Sequence, residues 1–179
     1  MDTNLYLIAL IPPKELREHV QELKLVMSES FNASHALKAP AHITLQMPFR
    51  REPEFESRLT DELREFSKTR NPFTIHIDGF DAFPPRVIFL KITDHSPVAE
   101  LHASLKSILK KQLLYSEKEI MKEIHPHMTI ATRDLTKKMF HKAWPEFRER
   151  VFESSFRADR IHLLKHNGMH WEFFKEFPF

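Results

Sequence analysis

The same order of apolar patterns occurs twice along this 179-residue chain. In each half the pattern predicts a strand, a helix, a second strand, a second helix and a third strand. The period is roughly 80–85 residues, which is too long for a solenoid repeat and is typical of two similar lobes. We therefore predict an α+β fold of two lobes related by pseudo-two-fold symmetry, each a mostly antiparallel sheet with outer helices. A cleft suited to a small ligand is expected between the lobes.

The predicted elements follow this order in both halves. In the first half, strands are predicted over 5–11, 41–47 and 73–78, and helices over 13–29 and 55–66. In the second half, strands are predicted over 87–92, 127–131, within 152–164 and over 171–177, and helices over 98–108 and 139–151. Pro48 is expected to end the second strand, and Val151 to belong to the last helix. We expect one bilobal domain over residues 1–179, with lobe 1 at about 1–84, lobe 2 at about 85–179, and strands that can be exchanged between them.

Two short segments fall at matching places in the two halves. They read Ala-His-Ile-Thr-Leu at 41–45 and Pro-His-Met-Thr-Ile at 126–130. Because side chains alternate along a strand, His42 and Thr44 should emerge together on one face. The same holds for His127 and Thr129. One His-x-Thr triplet carries little weight in a chain with 12 histidines, but the matching places indicate that both triplets belong to one site.

A pair of imidazoles and a pair of hydroxyls suits chemistry at a phosphate. Histidine titrates near neutral pH, so one ring can activate water as a base while the other protonates the leaving oxygen as an acid. The hydroxyls of Thr44 and Thr129 can donate hydrogen bonds to the non-bridging oxygens, where charge builds up. With these four groups in place, we expect neither a metal nor a cofactor. The alternative that His125 and His127 form half of a metal site lacks a Cys or a His-Glu-x-x-His helix to complete it.

Composition argues against several other classes of site. With 2 Gly and no Gly-rich loop, the chain has no dinucleotide fingerprint or P-loop, and with no Cys it has no disulfide and no thiolate nucleophile. The formal charge of +2 is too low for a protein that binds duplexes through its overall field. The first apolar run, 5–11, is too short for a signal peptide or a membrane span. We therefore expect a cytoplasmic protein that binds no membrane and acts as a monomer without an obligate protein partner.

Four further residues are candidates for substrate contacts, namely Arg133, Arg50, Phe49 and Phe83. Arg133 follows the second triplet and could approach the phosphate, and Arg50 could line the same cleft. Phe49 and Phe83, together with Trp171, are candidates to stack on a base. Each also has a plainer interpretation, as a surface arginine or as an aromatic residue of the core. The plainer interpretation of the triplets is a pair of inert histidines and a pair of threonines favoured by β propensity.

These motifs resemble those of the 2H phosphoesterase superfamily, in which a duplicated α+β fold carries one His-x-Thr motif in each lobe. The likeness is to its bacterial 2′-5′ RNA ligase and RNA cyclic phosphodiesterase branch. It covers nearly the whole chain, through the strand at 6–10, both His-x-Thr segments, the Phe-Pro-Pro turn at 83–85 and the strand at 86–90. The chain departs from the family at Ala41, where a Pro often precedes the first His.

The resemblance implies catalysis by His42 and His127, with the phosphate held by Thr44 and Thr129. Family members open 2′,3′-cyclic phosphates, or join and cleave 2′,5′ linkages, without metal. We therefore expect an enzyme that opens RNA 2′,3′-cyclic phosphate ends, with 2′-5′ RNA ligase activity as a further possibility. The sequence leaves open which His is the acid and which is the base; from the family scheme we expect His42 to protonate the leaving oxygen and His127 to activate water. The alternatives are a 2H phosphodiesterase for small nucleotides or 2′,5′-oligonucleotides, and a non-catalytic module that binds RNA ends.

Overall fold

The computed structural model describes residues 3–179 of the chain. Within this range the chain forms β1 (Asn4–Leu10), α1 (Lys14–Phe31), β2 (Ile43–Arg51), α2 (Phe55–Ser67), β3 (Phe73–Phe83), β4 (Val87–Ile92), α3 (Ser96–Lys111), β5 (His127–Ala131), α4 (Lys137–Glu149), β6 (Glu153–Ala158), β7 (Arg160–His166) and β8 (Trp171–Pro178). A short 3₁₀ helix, His35–Lys38, lies between α1 and β2. Among the helices of residues 3–179, none combines the length and the apolar character that a membrane span requires.

The strands form two four-stranded sheets in which every pair of neighbours is antiparallel. The first sheet has the order β2-β1-β7-β8, and the second has the order β5-β4-β3-β6. The predicted α+β fold of two antiparallel sheets with helices is therefore confirmed. Each sheet takes strands from both halves of the sequence, since β3 pairs with β4 and β6 while β7 and β8 extend the sheet begun by β1.

The two His-x-Thr segments lie on corresponding edge strands. β2 forms one edge of the first sheet and β5 forms one edge of the second, and the two strands contact each other. α1 lies beside them and contacts β5, the 3₁₀ helix and α4. The fold thus brings two distant segments of the chain together where the two sheets meet.

Most elements form where apolar periodicity predicts them. Over 74–78, β3 alternates between exposed polar and buried apolar side chains, as a half-buried strand should. Along α1, the side chains at three- and four-residue spacing are buried, namely Leu16, Val20, Lys24, Met27 and Phe31. This stripe packs α1 onto the core, and it contains one charged residue, Lys24.

The helix ends also follow local chemistry. α1 is capped after Phe31 by Asn32, whose φ of 55° is left-handed and whose N–H donates to the carbonyl oxygen of Met27. Asn is among the residues that accept this conformation. α4 begins after Thr136, whose side-chain oxygen accepts the N–H of Met139 at 3.2 Å. Such a cap satisfies one of the free N–H groups of the first turn.

β2 is longer than the sequence predicts. It continues through Pro48 to Arg51, so the expected end at Pro48 is wrong. Pro lacks an N–H, but β2 is an edge strand, and its register with β1 shifts between the pairs Tyr6–Phe49 and Ile8–Gln46. A proline at such a bulge on an edge removes no hydrogen bond that the sheet needs.

The end of α4 and the segment after it also differ from the predictions. α4 ends at Glu149, and Arg150 is extended, so Val151 lies outside the helix with its side chain 90% exposed. The segment 152–164 contains parts of two strands rather than one. The chain leaves the second sheet at the end of β6 and enters the first sheet in β7, with Asp159 between them.

Candidate active site

The strands present both triplets as the alternation predicts. His42 directly precedes β2, and Thr44 lies near its start. His127 is the first residue of β5, and Thr129 follows it on the same face. All four side chains are half-buried. The apolar residues that alternate with them are fully buried in the core, namely Ile43, Leu45, Met128 and Ile130.

Each imidazole is held by the carbonyl group two residues before it. Nδ1 of His42 donates to the carbonyl oxygen of Pro40 at 2.7 Å. Nδ1 of His127 donates to the carbonyl oxygen of His125 at 2.5 Å. Because a carbonyl oxygen can only accept, each bond places a proton on Nδ1. Nε2 is therefore the nitrogen of each ring that can take up or release a proton.

The surroundings of both rings favour their neutral forms. Burial is the main cause that lowers the pKa of His42 to about 4. The hydrogen bond to Pro40 opposes this shift, whereas the charges of Lys24 and His127 add to it. Burial also lowers the pKa of His127, the bond to its carbonyl partner opposes the change, and the charges of neighbouring histidines add to it. Both rings are thus neutral at pH 7 in the free protein, with Nε2 unprotonated.

A cavity of about 340 Å³ opens beside the triplets. Its wall includes His42 and Thr44 from the first triplet and Thr129 from the second. One side is formed by Leu5 and Leu7 of β1, and the turn between β7 and β8 contributes further residues. The volume lies within the range of pockets that bind small molecules. The cavity wall therefore takes residues from both triplets, but His127 is not among them.

His127 lies in a cluster of aromatic rings, close enough to His42 for its charge to lower the pKa of that ring. Its ring centroid is 5.2 Å from that of Phe83 and 4.9 Å from that of Phe89. His125 joins the cluster at 5.1 Å from Phe83, and His95 lies 4.8 Å from His125. Even so, no group of three or more His, Asp or Glu side chains within residues 3–179 is arranged to hold a metal ion. Phe83 is 40% exposed and offers a flat apolar surface next to the imidazole.

The cavity wall carries positive charge. Its basic residues are Lys24, His35, Lys38, His42, Arg133 and His166, and it contains no Asp or Glu. Asp134 follows Arg133, but its carboxylate is engaged elsewhere: Oδ2 accepts the backbone N–H groups of Ser34 and His35, each at 2.9 Å. A wall with this composition favours an anionic ligand.

Of the four further candidates, Arg133 lines the cavity, whereas Phe83, Arg50 and Phe49 are not part of its wall. Arg133 lines the cavity from the loop after β5, with a left-handed φ of 50°. Phe49 is 5% exposed and packs against Tyr115, because it lies on the core-facing side of β2. Arg50 is exposed near the far end of β2 and is not part of the cavity wall. Phe83 adjoins the ring of His127.

Sequence reasoning missed several residues of the wall. His35 and Lys38, which were not predicted, come from the 3₁₀ helix. The turn at 166–171 includes Trp171, which was expected only as a residue able to stack on a base. These segments carry no motif, and only the folded chain brings them to the triplets. Lys24 did leave a signal, because it falls four residues after Val20 on the apolar stripe of α1.

The family profile of the 2′-5′ RNA ligase superfamily matches residues 12–169 of the chain. The chain belongs to the 2′-5′ RNA ligase superfamily. The resemblance to the 2H phosphoesterase superfamily is thereby confirmed at the level of the family.

Individual proteins resemble the chain over most of its length. A protein of Geobacillus kaustophilus named "Putative phosphoesterase" is 27% identical over 164 residues, covering 89% of this chain and 86% of the relative. A protein of Halalkalibacterium halodurans with the same description is 30% identical over 128 residues, covering 70% and 68%.

Two solved structures share the fold. The structure of Escherichia coli LigT in complex with 3′-AMP superposes with a TM-score of 0.68 at 17% identity, over 99% of this chain and 98% of LigT. A protein of Thermus thermophilus superposes with a TM-score of 0.67 at 19% identity, over 97% of both chains.

Proposed function

We propose that this protein is a phosphodiesterase that opens RNA 2′,3′-cyclic phosphate ends by acid–base catalysis with two histidines. The matched pair of triplets carries the proposal, since each Nδ1 is tied to a carbonyl and each Nε2 is left to exchange a proton. Membership of the superfamily supports phosphodiester chemistry. The positive cavity wall supports an anionic substrate.

In the proposed reaction, a water molecule attacks the phosphorus of the cyclic phosphate and the bond to one ribose oxygen breaks. His127 takes a proton from the water through Nε2, and His42 gives a proton from Nε2 to the departing oxygen. The product is an open phosphate monoester with a free hydroxyl beside it. Because His42 is neutral at pH 7 in the free protein, it gains its proton as the anionic substrate binds.

The two threonines act on the phosphoryl oxygens. The hydroxyls of Thr44 and Thr129 border the cavity from opposite sheets. They donate hydrogen bonds to the non-bridging oxygens, which carry more charge in the transition state than in the ground state. Thr suits this role because its branched side chain is stiff at χ1 in a strand. A 5′-hydroxyl in place of water would give a 2′-5′ linkage by the same displacement.

A second candidate substrate is a small nucleotide or a 2′,5′-oligonucleotide. The cavity of about 340 Å³ favours it, because that space suits a ligand of about one nucleotide. LigT, which shares the fold, has been crystallised with 3′-AMP. A monomeric active unit stays a prediction in either case.

The proposal is tested by assaying nucleoside 2′,3′-cyclic phosphates and oligonucleotides with cyclic phosphate ends, with and without excess chelator. We expect turnover that survives chelation. His42→Ala and His127→Ala should each lower kcat by about 10²-fold or more, because each removes one proton transfer. His19→Ala is the matched control, since His19 lies on the exposed side of α1 and should leave kcat unchanged.

Three outcomes would contradict the proposal. Near wild-type kcat in either His variant would exclude the assigned roles of His42 and His127. Activity that requires added divalent ions would exclude the metal-independent mechanism. Tight binding of cyclic phosphate ends without turnover would support a non-catalytic module that binds RNA ends.

A further inference from the structure

Lys24 is a buried lysine at the candidate site. It lies on the apolar stripe of α1 with 2% of its surface exposed. Its side chain forms part of the cavity wall together with His42, Thr44 and Thr129. The proposed acid–base mechanism gives Lys24 no role, and its position on an apolar stripe would suit a Leu or Met better.

The charge of Lys24 has no carboxylate partner among residues 3–179. Its Nζ donates one hydrogen bond, to the carbonyl oxygen of Ala39 at 2.8 Å. None of the ion pairs within this range includes Lys24, and the cavity wall contains no Asp or Glu. Burying an unpaired ammonium group is costly, and such a group is more typical of a functional site than of a stable core.

Lys24 also adjoins the segment that holds His42. Its hydrogen bond ends on Ala39, and the next carbonyl along the chain, that of Pro40, accepts Nδ1 of His42. The lysine therefore supports the short segment that sets the direction of the first imidazole. This contact is structural, but it uses only one of the three N–H donors of the ammonium group.

We infer that Lys24 pairs with the phosphoryl group of the substrate and supplies a positive charge next to it. This inference rests on the proposed function. The ammonium group has donors left over and borders the same cavity as the hydroxyls of Thr44 and Thr129. The phosphate would thus contact two neutral hydroxyl donors and one buried cation. A charged donor in a site with little water binds an anion more strongly than a neutral one does.

Pairing with a phosphate would also change the proton affinity of His42. Lys24 lies within α1, and its charge lowers the pKa of His42, as does the charge of His127 on β5. The other basic groups of the wall are His35 and Lys38 on the 3₁₀ helix, Arg133 after β5 and His166 on β7. A bound phosphate opposes the positive charges of Lys24, Lys38 and Arg133, so the pKa of His42 rises on binding. Burial lowers the pKa of Lys24 to about 8, which leaves it mostly protonated at pH 7.

The test compares Lys24→Met with Lys14→Met, a substitution of an exposed lysine on the same helix that pairs with Glu18. The probe is inorganic phosphate, with its Kd measured by calorimetry at pH 7. We expect Lys24→Met to weaken phosphate binding by about tenfold or more, and Lys14→Met to leave it unchanged. Lys24→Gln, which keeps N–H donors but no charge, should resemble Lys24→Met.

An NMR titration of the His42 imidazole gives a second readout. Its pKa should be higher in Lys24→Met than in the unsubstituted protein, because the neighbouring charge is gone. Unchanged phosphate affinity in Lys24→Met would overturn the inference, whatever the pKa of His42. A fall in kcat/KM without either change would also overturn it, because it would leave Lys24 only as support for the segment 39–42. Neither readout needs turnover, so both remain informative if the proposed activity fails.

Discussion

His42 and His127 are held in the same way although they come from different halves of the chain. Each ring turns back onto the carbonyl two residues earlier, at Pro40 and at His125. The bond fixes both the tautomer and the rotation of the ring. Each imidazole can therefore exchange protons through one nitrogen only, which is what a base and an acid on opposite sides of a phosphorus atom require.

The burial of His42 makes the stability of the fold depend on pH. Its pKa is lowered from 6.5 to about 4 by folding, so the unfolded chain binds more protons between these two values. The stability that depends on neutral His42 is fully present above pH 6.5 and decreases as the pH falls towards 4. We expect this group to lower the free energy of unfolding by roughly 2 kcal/mol over that interval. Urea unfolding at a series of pH values measures the decrease.

A substitution isolates the contribution of His42. His42→Ala should make the free energy of unfolding less dependent on pH between 6.5 and 4. His19→Ala, on the exposed side of α1, should leave that dependence unchanged. If the unsubstituted protein and His42→Ala lost stability equally on acidification, the burial of His42 would not be the cause.

Among the elements, the 3₁₀ helix and the loop after β5 are joined by one carboxylate. Oδ2 of Asp134 accepts two backbone N–H groups at the start of the 3₁₀ helix. His35 and Lys38 of this helix and Arg133 of the loop all line the cavity. The bonds of Asp134 therefore hold two parts of the positive wall at a fixed separation.

Asp134→Ala should separate these two parts. We expect KM for the cyclic phosphate substrate to rise several-fold with little change in kcat, and the free energy of unfolding to fall by about 1 kcal/mol. Steady-state kinetics and urea unfolding measure the two effects. Asp61→Ala is the control, since Asp61 makes an exposed ion pair with Arg64 on α2 and should change neither quantity appreciably. A KM equal to that of the control would contradict this role.

Most elements could be predicted from the sequence because their signals are local. The strand over 127–131 and the helix over 55–66 follow directly from the spacing of apolar residues. The failures occur where a distant partner decides the outcome. Pro48 stays within β2 because β2 is an edge strand, which the sequence cannot reveal. Lys24 is a second example. Its spacing fits the buried stripe of α1, but only the folded chain shows that the cavity lies next to it.

At the level of the whole molecule, the duplication was visible in the sequence but the pairing of strands was not. The repeated order predicts two similar sheets, and both are present. The pairing of β1 with β7 joins residues far apart in sequence, and no local pattern encodes that contact. The result is a molecule in which each sheet depends on both halves of the chain.

The candidate site also combines residues that local sequence patterns reveal with residues that only the folded chain brings together. The four residues of the triplets could be chosen from spacing and repetition alone, because alternation along a strand sets which face they share. His35, Lys38 and His166 could not, because they reach the cavity only through the packing of a 3₁₀ helix and a hairpin against the two sheets. Phe49 was a candidate by residue type alone, and its side of β2 faces the core.

The central claim is that His42 and His127 act on one phosphate. A crystal structure of the protein with inorganic phosphate bound, at a pH below 6.5, tests it most directly. The predicted result is a single phosphate between Nε2 of His42 and Nε2 of His127, with the hydroxyls of Thr44 and Thr129 donating to its oxygens. A phosphate that contacts only one of the two triplets, or that binds outside this cavity, would contradict the claim.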